Sequence, residues 1–166
     1  MFHLGIVGHR YLRDDQTRAF ISHESSVILK DTRAKHDEVV ALSAIAEGAD
    51  TLFAEAAIDL DIPLEIVRPF EEYAADFEEG SARERYEKLR AVARREVKLP
   101  YQRRSNKAYQ AAMSWIVVES DLLAIAWDGQ PAAGPGGTGD AIEQLTMLGR
   151  PWVHLDVTTL SVKFHP

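Results

Sequence analysis

The chain alternates short, nearly unbroken apolar runs with longer amphipathic or polar stretches. Residues 2–7 (FHLGIV) form one run that stops at Gly8, and residues 39–42 (VVAL) form a second that stops at Ser43. A third, 64–67 (LEIV), follows Pro63 and ends at Arg68-Pro69. The fourth, 122–127 (LLAIAW), is the clearest, and a fifth, 151–155 (PWVHL), follows Gly149. Apolar runs of this length, bounded by glycine, proline or polar residues, predict buried strands.

Between the runs the spacing changes. Residues 14–30 carry Phe20, Val27, Ile28 and Leu29 in a mixed segment that predicts a helix. Leu52, Ala56 and Leu60 recur at helical spacing after Gly48, and Ala108, Ala112, Trp115 and Ile116 share one side of a helix over 105–119. A further helix is predicted over 138–148, with Gly149 as its C-terminal stop. Residues 71–96 are polar and charged with sparse apolar positions (Phe77, Tyr86, Leu89, Val92), which predicts a solvated helix before the break at Pro100. The last ten residues read as an edge strand or a tail. Near-continuous apolar strands alternating with helices imply a mostly parallel sheet covered on both faces. The pattern therefore predicts a single doubly wound α/β domain over residues 1–166, with about five or more strands.

Composition narrows the class. A chain of 166 residues with 46% hydrophobic and 27% charged residues is long enough to bury a substantial core. No apolar run approaches the roughly 18 residues of a membrane span, and the first residues show no signal peptide. With no cysteine there are no disulfides, thiolate metal sites or cysteine nucleophiles. Together these predict a cytoplasmic protein without a membrane partner. The net charge of −7 argues against nucleic acid as the main partner, because phosphate backbones require a basic face. More than half of the 19 Lys and Arg lie between Arg68 and Lys107, however. They are interleaved with acids, so the segment reads either as a solvated helix face or as a source of one or two inward arginines for an anion.

In doubly wound sheets ligands bind beyond the carboxyl ends of the strands. The residues that follow the runs are thus the candidates: Gly8, His9 and Arg10; Ser43, Glu47, Gly48 and Asp50; Arg68; Trp127 and Asp128; and the glycine loop 134–143 (GPGGTGDAIE). Arg10 offers a bidentate anion donor at the end of the first strand. Glu47 or Asp50 at the head of a helix suits either capping or a bond to a sugar hydroxyl. Backbone amides of Gly136, Gly137 and Thr138 at a helix N-terminus suit a phosphate without needing side-chain charge. The loop is neither GxxxxGK(S/T) nor GxGxxG after the first strand. The histidines show no metal-ligand spacing, so no metal site and no cofactor are predicted.

Taken together, GIVGHR, ALSAIAEGADTLFAEAAIDLDIPLEIVRPF, SDLLAIAWDG and GPGGTGDAIE resemble the SLOG superfamily, which includes the LOG phosphoribohydrolases, the DprA proteins and nucleotide-sensing domains. The resemblance spans about residues 5–156 and implies a modified Rossmann sheet that binds nucleotides or their derivatives. The LOG motif P-G-G-x-G-T-x-x-E is matched by Pro135, Gly136, Gly137, Gly139 and Glu143, with Asp140 in place of the threonine. The LOG enzymes pair that glutamate with an arginine on the helix before the fourth strand. Its position falls near Ala112, and residues 108–119 contain no arginine. The resemblance thus implies a nucleotide-binding module, with Trp127 or Phe70 available to stack on a base. The alternative it implies is an N-glycoside hydrolase of nucleoside monophosphates using Glu143, with Asp128 or Asp140 activating water. A crevice that meets only another protein is the third option. By the same resemblance the chain is expected to form a homo-oligomer, a dimer.

Overall fold

In the computed structural model, which describes residues 1–131 and 137–166, β1 (Phe2–Gly8) lies in the middle of a seven-stranded sheet. The elements follow in the order α1 (Asp15–Lys35), β2 (Val39–Ser43), α2 (Ala49–Asp59), β3 (Leu64–Arg68), a 3-10 turn (Tyr73–Asp76), α3 (Ser81–Val92), β4 (Arg95–Lys98), α4 (Asn106–Glu119), β5 (Leu122–Trp127), α5 (Thr138–Leu148), β6 (Trp152–Asp156) and β7 (Ser161–His165). Spatially the strands run β4-β3-β2-β1-β5-β6-β7. All pairs are parallel except β6 with β7. This is the α/β architecture that the apolar runs predict, with two more strands than they reveal.

Those two strands are the sheet edges. β4 reads REVK and is half exposed, and β7 reads SVKFH and is mostly exposed. An edge strand buries little, so neither carries the apolar run that marks a central strand. The segment 71–96 therefore divides into the 3-10 turn, α3 and the start of β4 rather than forming one helix. Arg95 on β4 lies opposite Glu65 on β3, and Arg94 Nη2 and Arg95 Nη1 sit 2.9 and 3.4 Å from the buried Glu65 carboxylate. The interleaved charge of this stretch thus ties the edge to the sheet.

Side chains alternate across the central strands. Leu4, Ile6, Ala41, Ile66, Ala124 and Ala126 join α1 and α2 in one core cluster. Val67, Leu123 and Ile125 join Met113, Ile116 and Val117 of α4 and Ala141 and Leu145 of α5 in the other. The α4 helix approaches β1 closely because Gly5 has no side chain: a Cβ there would lie 2.1 Å from Ser120 Oγ and 2.8 Å from Leu123 Cδ1.

The helix starts differ in a way that matters for the site. Asp14 caps α1 by accepting from Thr17 N at 2.8 Å, and Ser105 caps α4 by accepting from Ala108 N at 3.1 Å. The α2, α3 and α5 helices are instead preceded by Gly48, Gly80 and Gly137, which provide no side-chain cap, and of these α2 and α5 start beside the β1 and β5 ends. Among the described residues no helix is long and apolar enough to cross a membrane.

Candidate functional site

From β1 the chain winds outward through β2, β3 and β4, then returns to place β5 on the other side of β1. The β1 and β5 ends are therefore the switch point, where the following loops part to opposite faces and leave a crevice. A cavity of about 700 Å³ opens there. Its lining includes Gly8, His9, Arg10, Asp50, Trp127, Asp128, Gly137 and Thr138 from the candidates named above. It also includes Arg104, from the Arg68–Lys107 segment expected to offer an inward arginine, and Tyr73 and Tyr109, which the sequence patterns did not single out.

The two rims are locked together by backbone. Gly48 adopts φ +96°, and a Cβ there would lie 2.3 Å from the Arg10 carbonyl oxygen and 2.5 Å from that of His9. Ala49 N donates to His9 O at 3.2 Å, and His9 N donates to Ala126 O at 3.1 Å. The turns after β1, β2 and β5 are thus in direct contact. Gly48 does not line the cavity; it lets the His9–Arg10 turn pass over the head of α2. Ser43 is likewise buried beneath the site, accepting from Ile45 N at 2.9 Å and donating to the Asp50 carbonyl at 3.3 Å.

At one end of the cavity lies a dense polar group. Arg10 Nη1 is 3.4 Å from Asp76 Oδ2, and its guanidinium carbon stands 4.7 Å from the Tyr109 ring centroid. Tyr109 donates to the same carboxylate oxygen, and Arg104 Nε is 3.7 Å from Asp76 Oδ1. Burial works to lower the Arg10 pKa, but Tyr73, Tyr109 and Asp76 outweigh it and the guanidinium pKa rises. The Asp50 carboxyl is buried, and burial pushes its pKa up to about 7, against the opposing pull of Arg10 and of backbone amides at Ala46 and Ala44. Tyr73 is 1% exposed, its hydroxyl has no hydrogen-bond partner, and burial raises its pKa well above the ordinary value.

At the other end are the β5 turn and α5. The Asp128 carboxylate is held below the usual range by the Gln130 backbone N–H at 3.0 Å, with His9 adding to the effect. His9 Nε2 accepts from Asp128 N at 3.2 Å and stands 3.3 Å from Asp128 Oδ1. The Trp127 indole donates to Gln130 O at 2.7 Å, which fixes the ring across the turn. Gly137 precedes α5 with φ −74° and ψ 167°, extended backbone open to any residue. Gly136, with Pro135, lies outside the described residues.

Other candidates sit elsewhere. Arg68 is buried but committed: Nη1 donates to Glu71 O at 2.9 Å, Nη2 lies 3.1 Å from Glu71 Oε2, and Nε lies 2.6 Å from Glu96 Oε1. Glu47 is exposed outside the cavity. Glu143 is also exposed, because α5 turns Ala141 and Leu145 inward and residue 143 falls on the opposite side. Phe70 is core, edge-on to Tyr73 and Tyr109. A signal that could have pointed to the aromatic end is the density of rings in Phe70, Tyr73 and Phe77, though nothing in periodicity orients them.

No protein-family model matches the chain, and no curated protein matches it. Solved structures do. DNA processing protein A from Streptococcus pneumoniae superposes with a TM-score of 0.64 at 16% identity, covering 92% of this chain and 50% of that one. DNA processing protein A from Helicobacter pylori, described for its single-stranded DNA binding mode, gives 0.60 at 14% identity over 92% of this chain and 64% of that one. The Moco carrier protein from Chlamydomonas reinhardtii gives 0.55 at 13% identity over 93% and 76%. The chain spans about half the length of the Streptococcus protein. These likenesses establish the fold, and the resemblance to the SLOG superfamily holds at that level.

They also correct one expectation. The exclusion of nucleic acid does not stand, since the same fold appears in a protein characterised by its binding of single-stranded DNA. A net charge of −7 averages over the whole surface, whereas binding depends on local charge. Arg10 and Arg104 line the cavity, and Arg103 and Lys107 are exposed in sequence beside Arg104.

Proposed function

We propose that the crevice binds a nucleotide or nucleotide-derived ligand. The observation that carries this reading is the sharing of one cavity of about 700 Å³ by an arginine at the β1 end and the uncapped start of α5. That volume suits a nucleotide-sized molecule. The amide-rich start of α5 at Gly137 and Thr138 is the phosphate position, because helix N-termini favour anions without a counter-charge. Trp127, half-buried on the same rim, offers a face for a base. Calorimetric titration with AMP, NAD, ADP-ribose, cyclic nucleotides and short single-stranded oligonucleotides tests it. Absence of binding by all of them at millimolar concentration overturns it.

A second reading is favoured by Asp128, an ionised carboxylate in the cavity wall beside His9. Such a group can accept a proton from water that attacks the anomeric carbon of a bound nucleoside monophosphate. In this reading Asp128 is the base, and Glu143, exposed and outside the cavity, does not stabilise the sugar. Release of free base from a nucleoside monophosphate, lost in Asp128→Asn, supports it; stable nucleotides across the panel exclude it.

A further inference from the structure

The polar end of the cavity contains a residue that nothing so far employs. Tyr73 is 1% exposed, lines the cavity and has a hydroxyl without a partner. An unpaired buried hydroxyl is costly, and its persistence beside an open cavity marks the place of a missing polar group. The aromatic packing around it, edge-on contacts with Phe70, Phe77 and Tyr86 at 5.3 to 5.6 Å, holds the ring in place. It cannot turn away to find another partner without breaking that cluster.

The chemistry of the missing group follows from the neighbours. Arg10 and Arg104 both face Asp76, which offsets one of their two charges, and the Asp50 carboxyl stands in the field of Arg10 as the second acid. Asp50 adds a carboxyl, and a second anion brought beside it is repelled. A phosphate therefore belongs at the α5 end, not here. A neutral hydroxyl fits: it accepts from the Tyr73 O–H, which has no other partner, and donates to the Asp50 carboxyl, whose oxygens can accept beyond the backbone amides of Ala46 and Ala44.

We propose that Tyr73 and Asp50 form a hydroxyl subsite that selects ligands carrying a free sugar diol, so that the site prefers ribonucleotides to their deoxy and diol-phosphorylated counterparts. This rests on the nucleotide-binding reading. In that reading Asp50 supplies the acceptor, and Tyr73, set on a 3-10 turn after β3, is the specificity-determining residue.

The test is calorimetry of the intact chain with AMP, 2′-deoxy-AMP, 3′-deoxy-AMP and adenosine 3′,5′-bisphosphate. At least one deoxy form is expected to bind about tenfold more weakly than AMP, the worth of one hydrogen bond to a buried partner, and the bisphosphate more weakly still. Tyr73→Phe, which keeps the ring packing, is expected to weaken AMP about tenfold and to leave the discriminated deoxy form nearly unchanged. Equal affinity of AMP and both deoxy forms for the unaltered protein overturns the subsite while leaving nucleotide binding intact. A preference undiminished in Tyr73→Phe overturns the role of Tyr73. No binding by any of the four, or by the wider panel, removes the nucleotide reading and the subsite with it.

Discussion

Replacing Asp50 by asparagine makes the electrostatic cost of the site measurable. The carboxyl sits at the head of α2, buried against the turn 43–48, and burial moves its pKa from 3.8 to about 7 in the folded chain. Unfolded, it titrates near its ordinary value. The folded state therefore binds more protons between these limits, and stability falls as pH rises through the window. Below about pH 4 both states hold the proton and Asp50 adds no cost; above about pH 7 both have lost it and the full cost is present. At about 1.4 kcal/mol per pH unit, the displacement corresponds to about 4 kcal/mol. Asp50→Asn removes the ionisation and keeps the shape. Urea unfolding followed by tryptophan fluorescence should show wild type and variant within about 1 kcal/mol of each other near pH 4.5, with the variant gaining several kcal/mol by about pH 8. Arg10→Leu should widen the pH dependence of the Asp50-bearing protein, since Arg10 is the charge that opposes the rise. A gap between wild type and Asp50→Asn that is the same at both pH values refutes the reasoning.

Three further outcomes are expected. Gly48→Ala should cost about 3 kcal/mol or more, from a positive φ and a Cβ 2.3 Å from the Arg10 carbonyl, read as a fall in the unfolding midpoint. Arg10→Ala should weaken AMP by about tenfold or more, the loss of a charged donor to the sugar hydroxyls at the polar end of the cavity, measured by calorimetry alongside an unfolding curve that confirms folding. Glu143→Gln should change neither nucleotide affinity nor any base release, because the side chain is exposed and outside the cavity; a loss of more than about threefold in either contradicts that placement.

Sequence patterns reach the centre of this molecule more easily than its margins. β2, β3, β5 and the middle of β1 are buried on both faces, and burial on both faces writes itself as an apolar run, while β6 buries Val153 and Leu155 on one face and half-covers the other. β4 and β7 have one neighbour each and need no such run, so Arg95-Glu96-Val97-Lys98 looks like the tail of a charged helix. The site divides in the same way. His9, Arg10, Trp127 and Asp128 are found by topology alone, because they immediately follow central strands. Tyr73 and Tyr109 enter from a 3-10 turn and from α4, and their direction is set by packing with Phe70 rather than by spacing. Arg68 shows the opposite failure. It follows a strand as a ligand-binding arginine should, yet one of its acidic partners, Glu96, is brought to it only by the pairing of β3 with β4.

The contact of Gly48 with the carbonyls of His9 and Arg10 has a mechanical consequence. Where two backbones touch with no side chain between them, neither can shift without carrying the other. The turns after β1 and β2 therefore behave as one stiff wall, and His9, Arg10 and Asp50 keep fixed mutual positions whether or not the crevice is filled. Adaptation to ligands of different length falls to the other end of the cavity, the start of α5, which has no such backbone lock with that wall among the described residues. Amide hydrogen exchange with and without nucleotide should then register ligand at the start of α5 while the protected amides of Ala49 and His9 stay unchanged. A pocket with one immovable side can change what it binds by altering its other side, without first having to rebuild its frame.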